Sequence, residues 1–315
     1  MKQARYADCM TEARIPRFAF CFVLAAFILE TSISALPARA QTGDRLTITP
    51  AAVVAGSPEL ICVHLPAGAT VEGEWPEGTG PGQKLQFFRG RDKQAWYALA
   101  GVDVKAQTGP STLKISARTA AGAAIDLSRG VEILPAHYRT GTLTVAPKFV
   151  EPGPDDLAQI KAQVLLKSKV FASSAAEPLW SGDFRAPVHA APTDSFGTRR
   201  TFNGQLASVH EGMDFRAATG TPVHAGNSGV VVLAQPLYYE GNCVVIDHGL
   251  GLFTISMHLS RIDVHEGDHV VIGQLLGLSG ATGRVTGPHL HWAVRWQNAY
   301  LDPAKMLRMD LANVR

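Results

Sequence analysis

Along the first third of the chain, apolar and polar positions alternate in short runs broken by turn residues. Leu46-Thr47-Ile48 and the runs 59–65, 84–88, 96–104, 112–117 and 131–134 alternate in this way or carry β-branched and aromatic side chains. Pro66-Ala67-Gly68, Pro81-Gly82, Gly109-Pro110 and Ala121-Gly122 punctuate them. A period of two marks strands with one buried face, and the turn spacing is that of a small antiparallel sandwich. Residues 41–137 are therefore expected to form an immunoglobulin-like β-sandwich. No cluster of catalytic residue types falls within it. His64 lies inside a predicted strand and His137 at a domain edge, both suited to hydrogen-bonded structural roles, while Trp75 and Trp96 fit a core as well as an exposed face.

Residues 138–194 read as a connector with one helix. Pro154-Asp155-Asp156 places a proline and two acids in a first turn, where proline's fixed φ and the helix dipole favour them. Leu157, Ile160, Val164 and Leu165 follow as one apolar stripe expected to pack against a domain, with Lys167 and Lys169 towards the C-terminal end. The run 180–188 turns extended again, and Pro187 and Pro192 mark the entry to the next unit. From 195 to 315, tight glycine turns separate strands at 229–233, 243–247, 253–257, 269–272 and 290–296, and no helix is expected before Asp302-Pro303-Ala304. That pattern is an antiparallel β domain, so the whole chain reads as mostly β.

At 315 residues the chain is long enough to bury two cores. Its first forty residues read as a signal peptide. Lys2, Arg5, Arg14 and Arg17 form a basic segment, 19–29 is apolar, and Ala38-Arg39-Ala40 has the small-x-small form of a cleavage site. The apolar run falls short of the ~20 residues a lasting bilayer span needs. Export to the periplasm, envelope or exterior is expected, with no stable membrane span after processing; a retained anchor is the alternative. Removing this segment takes away five basic and three acidic groups from the 29 and 27 in the chain, leaving 24 of each. The slight basicity belongs to the leader and gives no footprint for nucleic acid. Four cysteines shrink to Cys62 and Cys243, neither in a Cys-x-x-Cys pair, so two buried free thiols are expected rather than a disulfide or thiolate metal site.

The chemistry concentrates in Val209-His210-Glu211-Gly212-Met213-Asp214-Phe215. In an extended strand, His210 and Asp214 would stand roughly 13 Å apart, too far to share an ion. The backbone must fold back, and Gly212 is expected to supply the unusual dihedrals. His289-Leu290-His291 opens a predicted strand, where positions i and i+2 share a face. Three ligands from two distant segments, with a spare histidine beside them, describe an open catalytic zinc site. Two Gly-flanked hairpins, 220–226 and 267–274, echo lipoyl- or biotinyl-carrier barrels. No lysine occurs between Lys169 and Lys305, which excludes that reading.

His210-Glu211-Gly212-Met213-Asp214, Met257-His258-Leu259-Ser260 and Gly287-Pro288-His289-Leu290-His291-Trp292 together resemble the LytM/lysostaphin-like zinc endopeptidases of bacterial peptidoglycan. The resemblance spans about 196–303 and includes Phe196-Gly197-Thr198-Arg199, Ile246-Asp247-His248-Gly249 and Gly280-Ala281-Thr282-Gly283. It implies a peptidase domain of that type over 195–315, with His210, Asp214 and His291 as ligands of one Zn2+ per chain. His258 and His289 would be the catalytic histidines, and peptidoglycan peptide cross-links the substrate. Ser256 stands where members often carry an aromatic residue, commonly Tyr. Glu211 could act as a base if the segment were helical, but the glycine argues for a solvated rim residue. His189, His224, His248, His265 and His269 are expected to be structural, and Arg199, Arg200 and Asn203 to line the cleft or form salt links. The rival readings are a non-catalytic regulator of a wall amidase on the same fold, and a plain wall-binding protein. No cell-wall or divisome partner can be named from the residues.

Overall fold

The computed structural model describes residues 45–76 and 82–314. The predicted signal peptide at 1–40 and the Pro81 half of one predicted turn lie outside the described residues. The protein is mostly β. Near the N-terminal side, four strands run in the order Leu46–Thr49, Pro58–His64, Ala95–Gly101 and Phe88–Arg89. A second sheet holds Val53–Val54, Ala124–Leu134, Gly109–Arg118, Thr70–Trp75 and Gln83–Lys84. The alternation that predicts these strands is visible in burial: in Gly109–Arg118, Leu113, Ile115 and Ala117 are buried while Thr112, Lys114 and Ser116 face solvent.

Two strand expectations are corrected. The run 84–88 is not one strand but a crossing between sheets, leaving one at Lys84 and joining the other at Phe88, with Leu85 and Phe88 buried on the way. Gly109-Pro110 opens a strand instead of marking a turn. Trp75 is fully buried, whereas Trp96 is only partly so and carries the Arg89 guanidinium 3.8 Å over its ring.

Past residue 190 the main sheet runs in the order Pro192–Asp194, Met213–Phe215, Leu290–Trp296, Leu252–Ile262, Gly241–Asp247, Gly229–Leu237 and His269–Val270. Its central strands are long apolar runs buried on both faces, as Val244, Val245 and Ile246 show. A small separate sheet joins Thr140–Leu143, Arg199–Phe202 and Leu206–Val209. Its first pair is parallel, so the connector contributes a strand and the expected all-antiparallel pattern does not hold there. The run 180–188 pairs with no strand; it buries Trp180, Phe184 and Val188 and ties down through Arg185 N–H to the Gly226 carbonyl at 2.9 Å.

The helix Pro154–Ala172 forms with its acids in the first turn, but a different face docks. Leu157, Val164 and Leu165 are exposed, while Leu166, Val170 and Phe171 meet the core of the main sheet. The reason is polar. The Tyr238 N–H donates to Gln163 Oε1 at 2.8 Å and Lys167 pairs with Glu240, and these anchors select the face one residue round from the most apolar stripe.

One continuous apolar cluster includes residues from Leu46 to Val314. Phe88 packs edge-on against Trp180 at 5.5 Å, the Asp302 N–H donates to the Gly56 carbonyl at 2.7 Å, and Tyr138 Oη donates to the Ala55 carbonyl at 2.6 Å. Cys62 is half-buried and Cys243 buried; both are free.

Beside these contacts sits Glu59, fully buried, with one carboxyl oxygen unpartnered. Ser57 Oγ has a single proton but two oxygen neighbours, the Val54 carbonyl and the Glu59 carboxyl. A protonated Glu59 resolves the conflict, and burial pushes its pKa up to about 8. The folded state then holds a proton that the unfolded chain releases, so stability falls as pH rises from about 4.5 to about 8. Glu59→Gln should match the native protein near pH 4 and exceed it increasingly towards pH 8 in thermal melts. A constant difference across that range would reject the buried acid.

Candidate metal centre

The register of two strands builds the site. Met213–Phe215 pairs antiparallel with Leu290–Trp296, setting Asp214 directly opposite His291. On the far side of that strand, His291 is opposite Met257, which delivers His258 next along the chain. Antiparallel partners project to the same face, so the register alone brings a carboxylate and an imidazole together.

His210, Asp214 and His291 are all buried and converge. His210 Nε2 lies 3.0 Å from Asp214 Oδ1 and 3.0 Å from His291 Nδ1, and His291 Nδ1 lies 2.9 Å from Asp214 Oδ1. Tetrahedral ligation with bonds of about 2.0–2.1 Å places donor atoms about 3.3 Å apart, so this triangle needs to open by only a few tenths of an ångström. The donor set also has its protons in the right places. His210 Nδ1–H donates to the Ser195 carbonyl at 2.9 Å, leaving Nε2 with its lone pair towards the site. Two imidazoles and one carboxylate suit zinc and leave a coordination position for solvent or substrate.

Gly212 is required for a reason other than the one expected. Its φ is not in the left-handed region; rather, a Cβ there would lie 2.4 Å from His291 Nε2 and 2.8 Å from the Trp292 carbonyl. The glycine admits the ligand ring.

The other two histidines face the same point. His258 Nδ1–H donates to the Thr282 carbonyl at 2.8 Å and His289 Nδ1–H to the Gly287 carbonyl at 2.8 Å, so each has Nε2 free to accept. His289 Nε2 stands 3.7 Å from Asp214 Oδ1, and the His258 and His289 ring centres are 4.9 Å apart. His258 adopts φ +64°, a left-handed conformation interrupting its strand, and its N–H donates to the Glu240 carbonyl at 2.9 Å. Such strain is stored where the surroundings over-determine it. Burial, then the charge of His291 and His289, lowers the His258 pKa to about 3. Burial also lowers His291, favouring its neutral form. For Asp214 burial acts the other way, but the His210 and His291 ring nitrogens against the carboxyl outweigh it and hold it far below the usual range.

Arg200, which the sequence left between cleft and salt-link roles, takes both: it lines the cleft and forms ion pairs. Its guanidinium donates to Asp214 Oδ2 at 2.8 Å and also grips Asp194. Oδ2 is thereby occupied and only Oδ1 faces the metal position. Asn203 fastens the connector, donating to the Val145 carbonyl at 3.0 Å. Glu211 pairs with Lys105 at the cleft rim and not with the histidines. His248 is structural, fully buried between the Ser228 carbonyl at 2.7 Å and Thr254 Oγ1 at 2.8 Å. Ser256 is buried opposite Trp292. The five histidine and aspartate side chains line a cleft of about 450 Å³, whose other wall includes Leu143 and Val145 of the connector, Tyr239 and Arg284.

Residues 208–303 match peptidase family M23. The chain is 53% identical over 83 residues to the peptidoglycan DD-endopeptidase ShyA of Vibrio cholerae, covering 26% of this chain and 19% of that protein. It is 39% identical over 98 residues to the DD-carboxypeptidase/endopeptidase Mpg of Neisseria meningitidis, covering 31% and 23%. The chain thus spans about a fifth to a quarter of the length of these curated relatives. A Pseudomonas aeruginosa crystal structure described as a peptidase M23 aligns with TM-score 0.58 and 27% identity, over 81% of this chain and 94% of that one.

Two substitutions test the geometry without touching a ligand. Gly212→Ala should push the His291 ring aside, and Arg200→Gln should free Asp214 to rotate. Each is expected to weaken zinc binding by about 10–100-fold in a chelator competition while the far-ultraviolet dichroism is unchanged. Native affinity in both would mean that the ligands are held by other means.

Proposed function

From the premise that the chain carries a peptidase family M23 domain over residues 208–303, we propose that it is an exported zinc metalloendopeptidase that cuts peptide cross-links of bacterial peptidoglycan. The observation that carries this reading is the buried His210–Asp214–His291 triangle with two further imidazole nitrogens directed at it from one side. The names of the relatives, DD-endopeptidase and DD-carboxypeptidase/endopeptidase, support the substrate class.

A divalent zinc ion held by these three side chains supplies Lewis acidity and a nucleophile usable near neutral pH. The chain's own residues do the rest. Arg200 and the Ser195 carbonyl fix Asp214 and His210, so the ligands are oriented before substrate arrives. His258 and His289, each pinned through Nδ1, present Nε2 as a proton acceptor on the open side. One imidazole takes the proton of the attacking water. The resulting imidazolium stabilises the developing oxyanion or hands the proton to the leaving amine. Glu211 has no place in this scheme, because its carboxylate is engaged by Lys105.

In the same reading, residues 1–40 direct export, 41–137 form an immunoglobulin-like sandwich, 138–194 connect, and 195–315 form the peptidase domain. Among the described residues no helix is long and apolar enough to cross a membrane.

The purified, zinc-loaded protein should release peptides from murein sacculi, and a chelator should stop it. His258→Ala and His289→Ala are each expected to lose about 10²–10⁴-fold in turnover with zinc content unchanged. Glu211→Gln should keep most activity. Stoichiometric zinc with intact sacculi under all conditions would defeat the proposal, and a Glu211→Gln loss as deep as that of His289→Ala would reassign the base.

A further inference from the structure

One half-buried cation of the cleft lining makes no ion pair with a carboxylate among the described residues. Arg284 is half-buried in the wall facing the metal centre. Its guanidinium lies 4.5 Å from the centre of the Phe202 ring and 4.7 Å from that of Tyr239. Its backbone is equally fixed, with the Arg284 N–H donating to the Tyr239 carbonyl at 2.8 Å. Gly283 before it has φ +77° and sits so close to the neighbouring turn that a Cβ would lie 2.4 Å from the Gly241 nitrogen. The guanidinium is held at its faces, which leaves its edge, where the N–H donors are, for something else.

Among the described residues no carboxylate pairs with it. The acids of the cleft are already engaged: Glu240 by Lys167, Glu211 by Lys105, and Asp194 and Asp214 by Arg200. An arginine stacked on aromatic rings with an unpaired planar fork is built to receive a carboxylate in two parallel hydrogen bonds. Its neighbours Thr282 and Gly283 belong to the loop that positions His258, so a ligand gripped here lies beside the reacting groups.

Resting on the endopeptidase reading, we propose that Arg284 forms a carboxylate-binding subsite, selecting cross-linked peptides that carry a free carboxyl next to the scissile bond. Because the cleft's own acids are already neutralised by Lys105, Lys167 and Arg200, they do not compete with such a carboxyl for the Arg284 fork. Removing the charge from the substrate by amidation, or the fork from the protein, should cost the same interaction.

The test uses one synthetic cross-linked stem peptide in two forms, as the free acid and with the carboxyl beside the cross-link amidated. Binding is measured by calorimetry on metal-free full-length protein, and hydrolysis on the zinc-loaded protein. The native protein should bind the free acid at least about ten-fold more tightly than the amide. Arg284→Gln should bind both forms equally and weakly. Arg284→Lys should keep the preference only in part, because it retains charge without the fork. In turnover the loss should appear in KM for the free acid and leave the amide nearly unchanged. Equal binding of both forms by the native protein, binding of neither, or an Arg284→Gln loss that is the same for both would overturn the subsite. Native discrimination in binding without hydrolysis would uphold the subsite and defeat the enzyme reading, so the two failures are separable.

Discussion

The site depends on one strand register. Asp214 faces His291 because Met213–Phe215 and Leu290–Trp296 pair at that offset, and Met257 faces His291 from the other side. A slip of one residue would turn every side chain of a strand to the opposite face and take Asp214, His291 or His258 out of the cleft. What prevents the slip is burial on each side: Leu290, Trp292, Val294 and Trp296 fill one face of the central strand while Ala293 is equally enclosed on the other. The energetics of the core and the geometry of the metal position are therefore one constraint. The left-handed His258 and the glycine that admits the His291 ring are local adjustments to it.

Around that register the carboxylate of Asp214 is divided. Oδ1 turns to the imidazoles and Oδ2 to Arg200. The arginine does not merely neutralise a buried charge; it blocks a second oxygen from swinging into the ligand set, and Asp194 in turn holds the arginine. Every acid lining the cleft is engaged in this way, which is why the unpaired guanidinium of Arg284 stands out against them.

Much of this was legible from residue types. His210 and Asp214 at short spacing point to one site, and the structure brings them together with His291, although Gly212 serves to admit the His291 ring and not to close the chain. The strand following His289 declares its period plainly. The helix at Pro154–Ala172 was legible in its ends but not in its orientation. Leu157, Val164 and Leu165 look like a docking stripe until Gln163 and Lys167 find Tyr238 and Glu240, partners more than seventy residues away by chain number. Arg200 and Arg284 escaped assignment for the same reason. Both lie close in sequence to ligand motifs, yet what each one touches is decided by the placement of distant strands. The run 84–88 carried a strand's composition and still crossed between sheets, because Leu85 and Phe88 are buried on the way from one sheet to the other.

Lys105 reaches from the N-terminal sheets to Glu211 on the lip of the cleft, Leu301 fills the space a side chain at residue 101 would need, and Phe88 leans on Trp180. The upstream sheets are thus a supporting wall for the half that carries the cleft, not a tether hung from it. Excising residues 195–315 alone would strip apolar faces bare and loosen the lip beside His210. Anyone grafting this cleft onto another scaffold must carry its buttress along.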